Sequence, residues 1–195
     1  MGSIVRAGSA YGGWYYNPKL LPRGSTVISC GIGNDLTFDK HLIEQHDCHV
    51  VMVDPNQVAL EAIANAALPE GKYTHIPAAL WRDDDGVEFG AEFSNGAGVY
   101  SSGRKLRIGS ISLDTLLARY PDTMLVKMDI EGAEFEVLSA WQRVVQPVQL
   151  LIGFHPTKCK CAVKEYVKLV SIFGYAIAHV EVEDVETVYL FTREV

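Results

Sequence analysis

The sequence predicts an α/β fold: a mostly parallel sheet, helices on both faces, and an antiparallel hairpin at the end. Three observations carry this prediction. From Ser25 onward, short β-branched runs alternate with helical stretches. Helices between successive strands imply parallel neighbours. At the C-terminal end, residues 175–182 and 187–192 read as two strands separated only by Glu183-Asp184-Val185-Glu186. So short a link permits only an antiparallel pair.

Each element follows from its residues. Thr26-Val27-Ile28-Ser29-Cys30 is a buried strand that runs into glycines, then into a helix over about 35–46. His49-Val50-Val51-Met52-Val53 is the second strand, bounded by Asp54-Pro55-Asn56. Residues 57–67 are Ala-rich with Leu60 and Ile63 on one face, a helix ended by Pro69-Glu70-Gly71. The third strand is 73–76. Residues 82–109, rich in Gly, Asp and Ser, read as a loop-rich insertion or hairpin. A short helix at 113–120, a strand at 124–128 and a helix over 132–144 follow, the last with Phe135, Leu138 and Trp141 spaced for burial. A strand at 148–154 and a helix at 164–173 lead into the closing hairpin. The domain is expected over 25–195, with 1–24 as an N-terminal cap segment.

Composition narrows the function. A chain of 195 residues predicts one domain, or one with a small appendage. With 48% hydrophobic and 21% charged residues it matches an average soluble globular protein, not a disordered or collagen-like one. No apolar run nears the roughly 18 residues a membrane span needs. Lys and Arg number 17 against 24 Asp and Glu, a net charge of −7, and no basic stripe is present to grip phosphate backbones. Neither nucleic acid nor membrane is therefore an expected partner. Cys30, Cys48, Cys159 and Cys161 are too few and scattered for a disulfide scaffold and read as free thiols of a reducing compartment. No secretory leader is visible, and Arg6 stands where a myristoylation motif wants Ser or Thr, so the expected location is cytoplasmic.

Two clusters carry chemistry. In Cys30-Gly31-Ile32-Gly33-Asn34-Asp35, Gly31 and Gly33 allow a tight turn whose N–H groups, with the following helix, suit an anionic ligand group. A dinucleotide fingerprint wants a third glycine where Leu36 stands. Asp54 ends the second strand about 21 residues beyond Gly33, where an acid accepts hydrogen bonds from ribose hydroxyls. Together they point to an adenosine-type ligand without a pyrophosphate, and S-adenosylmethionine fits. Leu36 and the closing hairpin disfavour a nicotinamide-dependent oxidoreductase.

The second cluster, Asp129-Ile130-Glu131-Gly132-Ala133-Glu134, follows the strand at 124–128 at the ligand-binding edge of the sheet. If Asp129 and Glu131 are both extended, their carboxylates project to one side. There they can position a cationic cofactor, hold a divalent metal or steer a substrate hydroxyl. Glu134 reads as an acid that favours the positive start of the next helix. His155 ends the following strand on the same edge. As an imidazole neutral near pH 7, it is a candidate general base.

The Asp129–Glu134 block, preceded by Ser112-Leu113-Asp114-Thr115-Leu116-Leu117, strongly resembles the signature of the FkbM-type S-adenosylmethionine-dependent methyltransferases. The resemblance extends through Tyr11-Gly12-Gly13-Trp14, Gly31-Ile32-Gly33-Asn34-Asp35, Phe38-Asp39 and Asp54-Pro55. It implies a Rossmann-like class I methyltransferase fold and O-methylation of a hydroxyl on a small molecule or saccharide. The non-enzymatic alternative is a catalytically silent binding module that regulates a partner. The expected cofactor set is Gly31, Gly33, Asp35, Asp54, Ala79 and Asp129; the expected catalytic set is Asp129, Glu131 and His155. Ser29-Cys30-Gly31 lacks the acid many methyltransferases carry at this turn, which leaves Asp35 or Asp129 to meet the methionine amino group. A divalent metal is not favoured, because Asp129 and Glu131 alone are too few ligands. Residues 11–14 and the insertion are expected to border the acceptor as mobile covers, with Trp14, Tyr15 and Tyr16 shielding the reacting atoms.

Overall fold

A computed structural model describes residues 4–90, 98–159, 162–182 and 186–194. Its main sheet has seven strands: β1 (Thr26–Cys30), β2 (His49–Val53), β3 (Tyr73–Ile76), β4 (Thr123–Met128), β5 (Gln149–Phe154), β6 (Ala176–Val182) and β7 (Thr187–Thr192). Their order across the sheet is β3-β2-β1-β4-β5-β7-β6. Strands β3, β2, β1, β4 and β5 pair in parallel along the sheet, while β7 is antiparallel to both β5 and β6. Strand β7 alone is therefore reversed. Strand order turns around between β1 and β4, the place where open α/β sheets bind ligands beyond their carboxyl ends.

Side-chain alternation along buried strands fills both faces. One face carries Ile28, Val51, Val126 and Leu150, packed under α3 (Leu113–Arg119), α4 (Glu134–Ala140) and α6 (Val163–Ile172). The other carries Val27, Val50, Met52, Leu125 and Leu151 under α1 (Thr37–His46) and α2 (Gln57–Asn65). The short helix α5 (Pro156–Cys159) leaves the end of β5. Helix α4 is shorter than the 132–144 its spacing predicts. Trp141 has extended backbone (φ −61, ψ 117), and its ring is buried edge-on to Phe173 at 5.7 Å. Asp114 accepts from the Gln142 N–H just beyond, at 2.8 Å.

In the 82–109 segment, Val87–Gly90 pairs antiparallel with Lys105–Ile108, whereas Ala79–Trp81 pairs parallel with Ser110–Ser112. Residues 91–97, in the middle of the expected insertion, lie outside the described residues. So do the side chain of Cys159 and all of Cys161; Cys30 and Cys48 are buried free thiols. Among the described residues no helix is long and apolar enough to cross a membrane.

The N-terminal segment corrects the expectation of an aromatic cover. Val5–Ala7 and Trp14–Tyr16 form an antiparallel pair, and Trp14 and Tyr16 are buried in the core beside Phe38. Tyr15 lies against His179 of β6, with ring centroids 3.9 Å apart. Tyr11, 78% exposed at the tip, lines the cavity at the carboxyl edge of the sheet beside Gly12, as expected of residues 11–14. Asp35 ties this hairpin to α1: Oδ2 accepts from Ser9 Oγ at 2.6 Å and Oδ1 from Thr37 N at 2.9 Å. Gly12 packs so tightly here that a Cβ would lie 2.5 Å from Asp35 Cγ. Burial raises the Asp35 pKa, but the bonds from Ser9, Thr37 and Gly12 outweigh it and hold the carboxyl below its ordinary value.

A depressed carboxyl stabilises the fold above its unfolded-state pKa and stops doing so as pH falls through the folded value. Asp35→Ala should therefore open the 4–16 hairpin to protease at neutral pH, where the wild-type resists, and cost about 1–3 kcal/mol. Acidification should produce the same cleavage in the wild-type. Limited proteolysis followed by mass mapping reads both.

Candidate active site

The ends of β1, β2, β4 and β5 meet in a cavity of about 420 Å³, a size typical of small-ligand sites. All eight residues expected from the sequence line it: Gly31, Gly33, Asp35, Asp54, Ala79, Asp129, Glu131 and His155. Gly31 is left-handed (φ 70), and a Cβ on it would lie 1.7 Å from the carbonyl oxygen of Asp129. No other residue fits there, because the chain leaving β1 presses directly on the chain leaving β4. The Asp129 N–H closes that contact by donating to Cys30 O at 3.1 Å.

Asp54 is 3% exposed and braces the glycine turn: Oδ2 accepts from Gly33 N at 3.1 Å and Oδ1 from Asn56 N at 2.8 Å. Burial pushes its carboxyl up, opposed by the Asn56 and Gly33 N–H groups and by the charge of Lys127. Asp35 sits on the rim with both oxygens already accepting from Ser9 and Thr37. That leaves Asp129 better placed than Asp35 to meet an ammonium group.

Lys127 lies outside the expected site residues, although a lysine between Val126 and Met128 in an apolar strand is a visible signal. It is buried, donates to Gly31 O at 2.8 Å, lies 4.9 Å over the Trp14 ring and stands 3.9 Å from Asp129 Oδ2. It thus ties the glycine turn to the edge of β4.

The strand geometry expected for Glu131 is not present. Strand β4 ends at Met128, and Glu131 is left-handed (φ 59), followed by Gly132 at φ 100. A tight turn, not strand alternation, brings Asp129 and Glu131 into one cavity. Glu134 makes that turn possible, and its expected role as a helix-start acid is too small. It is fully buried; its oxygens accept from Ile130 N at 2.8 Å and Gly132 N at 3.0 Å. Oε1 also meets His155 Nδ1 at 3.2 Å.

His155 is 5% exposed, and its Nδ1 also lies 3.1 Å from Gly153 O. Its Nε2 faces three carboxylates: Glu186 at 3.4 Å, Asp129 at 3.7 Å and Glu131 at 3.8 Å. Lys158 pairs with Glu131 on the outer side. Burial lowers the His155 pKa, but the Glu134 bond and the charges of Glu134, Asp129 and Glu131 outweigh it, pushing it up to about 9. Burial pushes the Glu134 carboxyl up as well, opposed by the His155 hydrogen bond and charge and by the Ile130 N–H. With only its protein surroundings, the imidazole is a cation at pH 7 and not the neutral base expected. Glu186 belongs, by sequence, to a short link between β6 and β7; the antiparallel return of β7 carries it to the site.

A sheet in this order with one reversed strand, a glycine turn after β1 and an acid closing β2 is the fold of class I S-adenosylmethionine-dependent methyltransferases. The chain belongs to the FkbM methyltransferase family: the model of the methyltransferase FkbM domain matches residues 5–176, and the cofactor is S-adenosylmethionine. Solved structures share the fold at low identity. TrmK of M. capricolum, solved with S-adenosyl-homocysteine, gives a TM-score of 0.52 at 12% identity over 90% of this chain and 64% of that one. The chain thus spans less than two thirds of TrmK. The precorrin-6y C5,15-methyltransferase of Geobacter metallireducens gives 0.52 at 11% identity over 89% and 82%. The ribosomal protein L11 methylase of Lactobacillus delbrueckii gives 0.51 at 10% over 91% and 74%. No curated protein matches the sequence.

A raised histidine pKa stabilises the fold below the unfolded value near 6.5, and that contribution is lost as pH rises through the folded value. In chelator-treated protein, the His155 ring should titrate near 9 by NMR, and stability should decline from pH 6.5 to 9. Glu134→Gln should bring the midpoint down and flatten that decline, at a cost of about 3–5 kcal/mol for breaking a buried pair.

Proposed function

We propose that this chain transfers the methyl group of S-adenosylmethionine to a hydroxyl oxygen on a small molecule or saccharide. The carrying observation is the set of carboxylates, Asp129, Glu131 and Glu186, gathered around His155 at the β4–β5 end of the cavity. Bound S-adenosylmethionine supplies a methyl group already activated by its sulfonium charge. The chain must hold it, align the acceptor and receive a proton.

The residues suit those tasks. Asp54, at the end of β2, would take the ribose, since each of its oxygens keeps a lone pair beyond the bond it accepts from the glycine turn or Asn56. The Gly31–Gly33 turn would take the methionine carboxylate, and Asp129 the amino group. The acidic wall favours a cationic sulfonium and a neutral hydroxyl acceptor over a phosphorylated one. An alcohol is a poor nucleophile until its proton begins to leave, and Glu131, at the cavity wall, is the group we assign to receive it. In the same reading, residues 25–195 form one catalytic domain capped by 1–24. It acts in the cytoplasm on a small acceptor, without nucleic acid or membrane as partner.

Incubating the purified protein with S-adenosylmethionine and an extract of its source should yield S-adenosylhomocysteine and a product heavier by one CH₂ on oxygen. Cofactor binding without any product would mark a binding module instead. By calorimetry, Asp54→Ala should weaken cofactor binding roughly ten- to a hundredfold, the loss of a charge-assisted hydrogen bond. Glu131→Gln should keep cofactor affinity and lower turnover by about 10²–10⁴.

A further inference from the structure

We infer that Asp129, His155 and Glu186 form a site for one divalent first-row transition ion, of the manganese-to-zinc class, which would polarise the acceptor hydroxyl. The role in catalysis rests on the hydroxyl-acceptor reading above; the ion site itself does not. From sequence alone Asp129 and Glu131 offered too few ligands. The fold adds His155 from β5 and Glu186 from the β6–β7 connection, and nothing in their spacing along the chain announces the meeting.

The donor atoms of Asp129, His155 and Glu186 lie within 4.8 Å of one another. Nε2 is 3.4 Å from Glu186 Oε2 and 3.7 Å from Asp129 Oδ1. Donors about 2.0–2.3 Å from a shared ion stand roughly 3–4.5 Å apart, so this spacing leaves room for an ion between them. It is also longer than the roughly 2.9 Å of a good hydrogen bond. Among the described residues, the buried Nε2 makes no hydrogen bond and is turned into the cavity.

The other side of the ring supplies an independent argument. Nδ1 faces Glu134 Oε1 and Gly153 O, both acceptors, so the Nδ1 position carries the hydrogen. Nε2 is then the nitrogen whose lone pair a cation would use, once its proton leaves to solvent. A carboxylate behind a histidine, orienting the nitrogen that faces the ion, is the usual support of a metal-ligating imidazole. One imidazole with two carboxylates suits first-row transition ions better than magnesium, which prefers oxygen and retained water.

In the reaction, the ion would act as a Lewis acid on the acceptor oxygen. The O–H proton passes to the Glu131 carboxylate, outside the three ligands. The O–CH₃ bond forms as the S–CH₃ bond breaks, and the electron pair of that bond stays on sulfur. The products are the methyl ether, neutral S-adenosylhomocysteine and a protonated Glu131, which releases its proton to water.

The test is direct binding of Mn²⁺ to the chelator-treated full chain, followed by the loss of the free-ion signal in electron paramagnetic resonance. One ion per chain is expected. Glu186→Gln and Asp129→Asn should each weaken it at least tenfold. Glu134→Gln, which touches no ion, should weaken it about ten- to a hundredfold. Circular dichroism checks that each variant is folded, and Co²⁺ spectra of the wild-type give a second readout of nitrogen and oxygen coordination. No Mn²⁺ or Co²⁺ binding by folded wild-type, or binding unchanged in both ligand variants, would overturn the inference. Product formation from S-adenosylmethionine and a hydroxyl acceptor, measured with and without the ion, separates the two readings. Methyl transfer to a hydroxyl that persists without any bound ion sinks the metal and keeps the function. Ion binding that follows the ligand variants, in a chain that methylates no hydroxyl, keeps the ion site and sinks the function.

Discussion

The buried carboxylate of Glu134 is the constraint on which the site depends. Without side-chain acceptors, the N–H groups of Ile130 and Gly132 would be left unpaired in a turn that leaves a core strand. One carboxylate satisfies both and in doing so holds Glu131 in a left-handed conformation that a non-glycine residue adopts reluctantly. The same group then reaches from β4 to His155 at the end of β5. A local backbone problem and the orientation of the imidazole are thus solved by one buried carboxyl group, which is why neither can be altered alone.

Lys127 performs a complementary task on the other side of β4. Its ammonium bonds the Gly31 carbonyl and lies near Asp129, with the Trp14 ring beneath it. A lysine so deeply buried is costly unless its ammonium finds partners, and here these are a carbonyl, a carboxylate and an aromatic face. The positive charge near the glycine turn and the carboxylates near His155 make the cavity electrically asymmetric. Its turn end suits an anionic group and its far end a cationic one, the polarity of a methionine carboxylate and a sulfonium.

The sheet was legible because strands buried on both faces read as continuous apolar runs, as in Val27-Ile28 and Val50-Val51-Met52-Val53. Helix ends were less so: the 3.6-residue spacing of Phe135, Leu138 and Trp141 held for burial, but Trp141 is buried from an extended backbone after the helix has stopped. At the site, Asp54, Asp129 and His155 were visible because strand ends at one edge converge in any such topology. What Glu134 does was not visible, since its partner lies 21 residues away and the contact depends on a left-handed Glu131. Glu186 was hidden for a simpler reason. A four-residue link between strands reads as surface, and the position of β7 beside β5 turns Glu186 toward the cavity.

That last placement gives the closing hairpin a role beyond finishing the sheet. A parallel strand beside β5 would send its carboxyl end toward the cavity, and its connection would leave from there. The reversed β7 instead brings its amino end to the cavity, so Glu186, just before it, stands at the end of β5. Thr187 pairs with Phe154, which sets Glu186 beside His155 by register alone. Adding a Cβ to Gly153 would strike Glu186 Oε2 at 2.4 Å, so the glycine in β5 makes the room this carboxylate occupies. The acidic cluster is therefore assembled from the ends of β4 and β5 and the start of β7, three segments that meet only when the sheet is complete. A chain whose hairpin had not docked would keep the glycine turn and Asp54 but have one carboxylate fewer around His155. The glycine turn, Asp54, Asp129 and Glu131 thus come from segments before the hairpin, and Glu186 is the member of the cluster that depends on its docking.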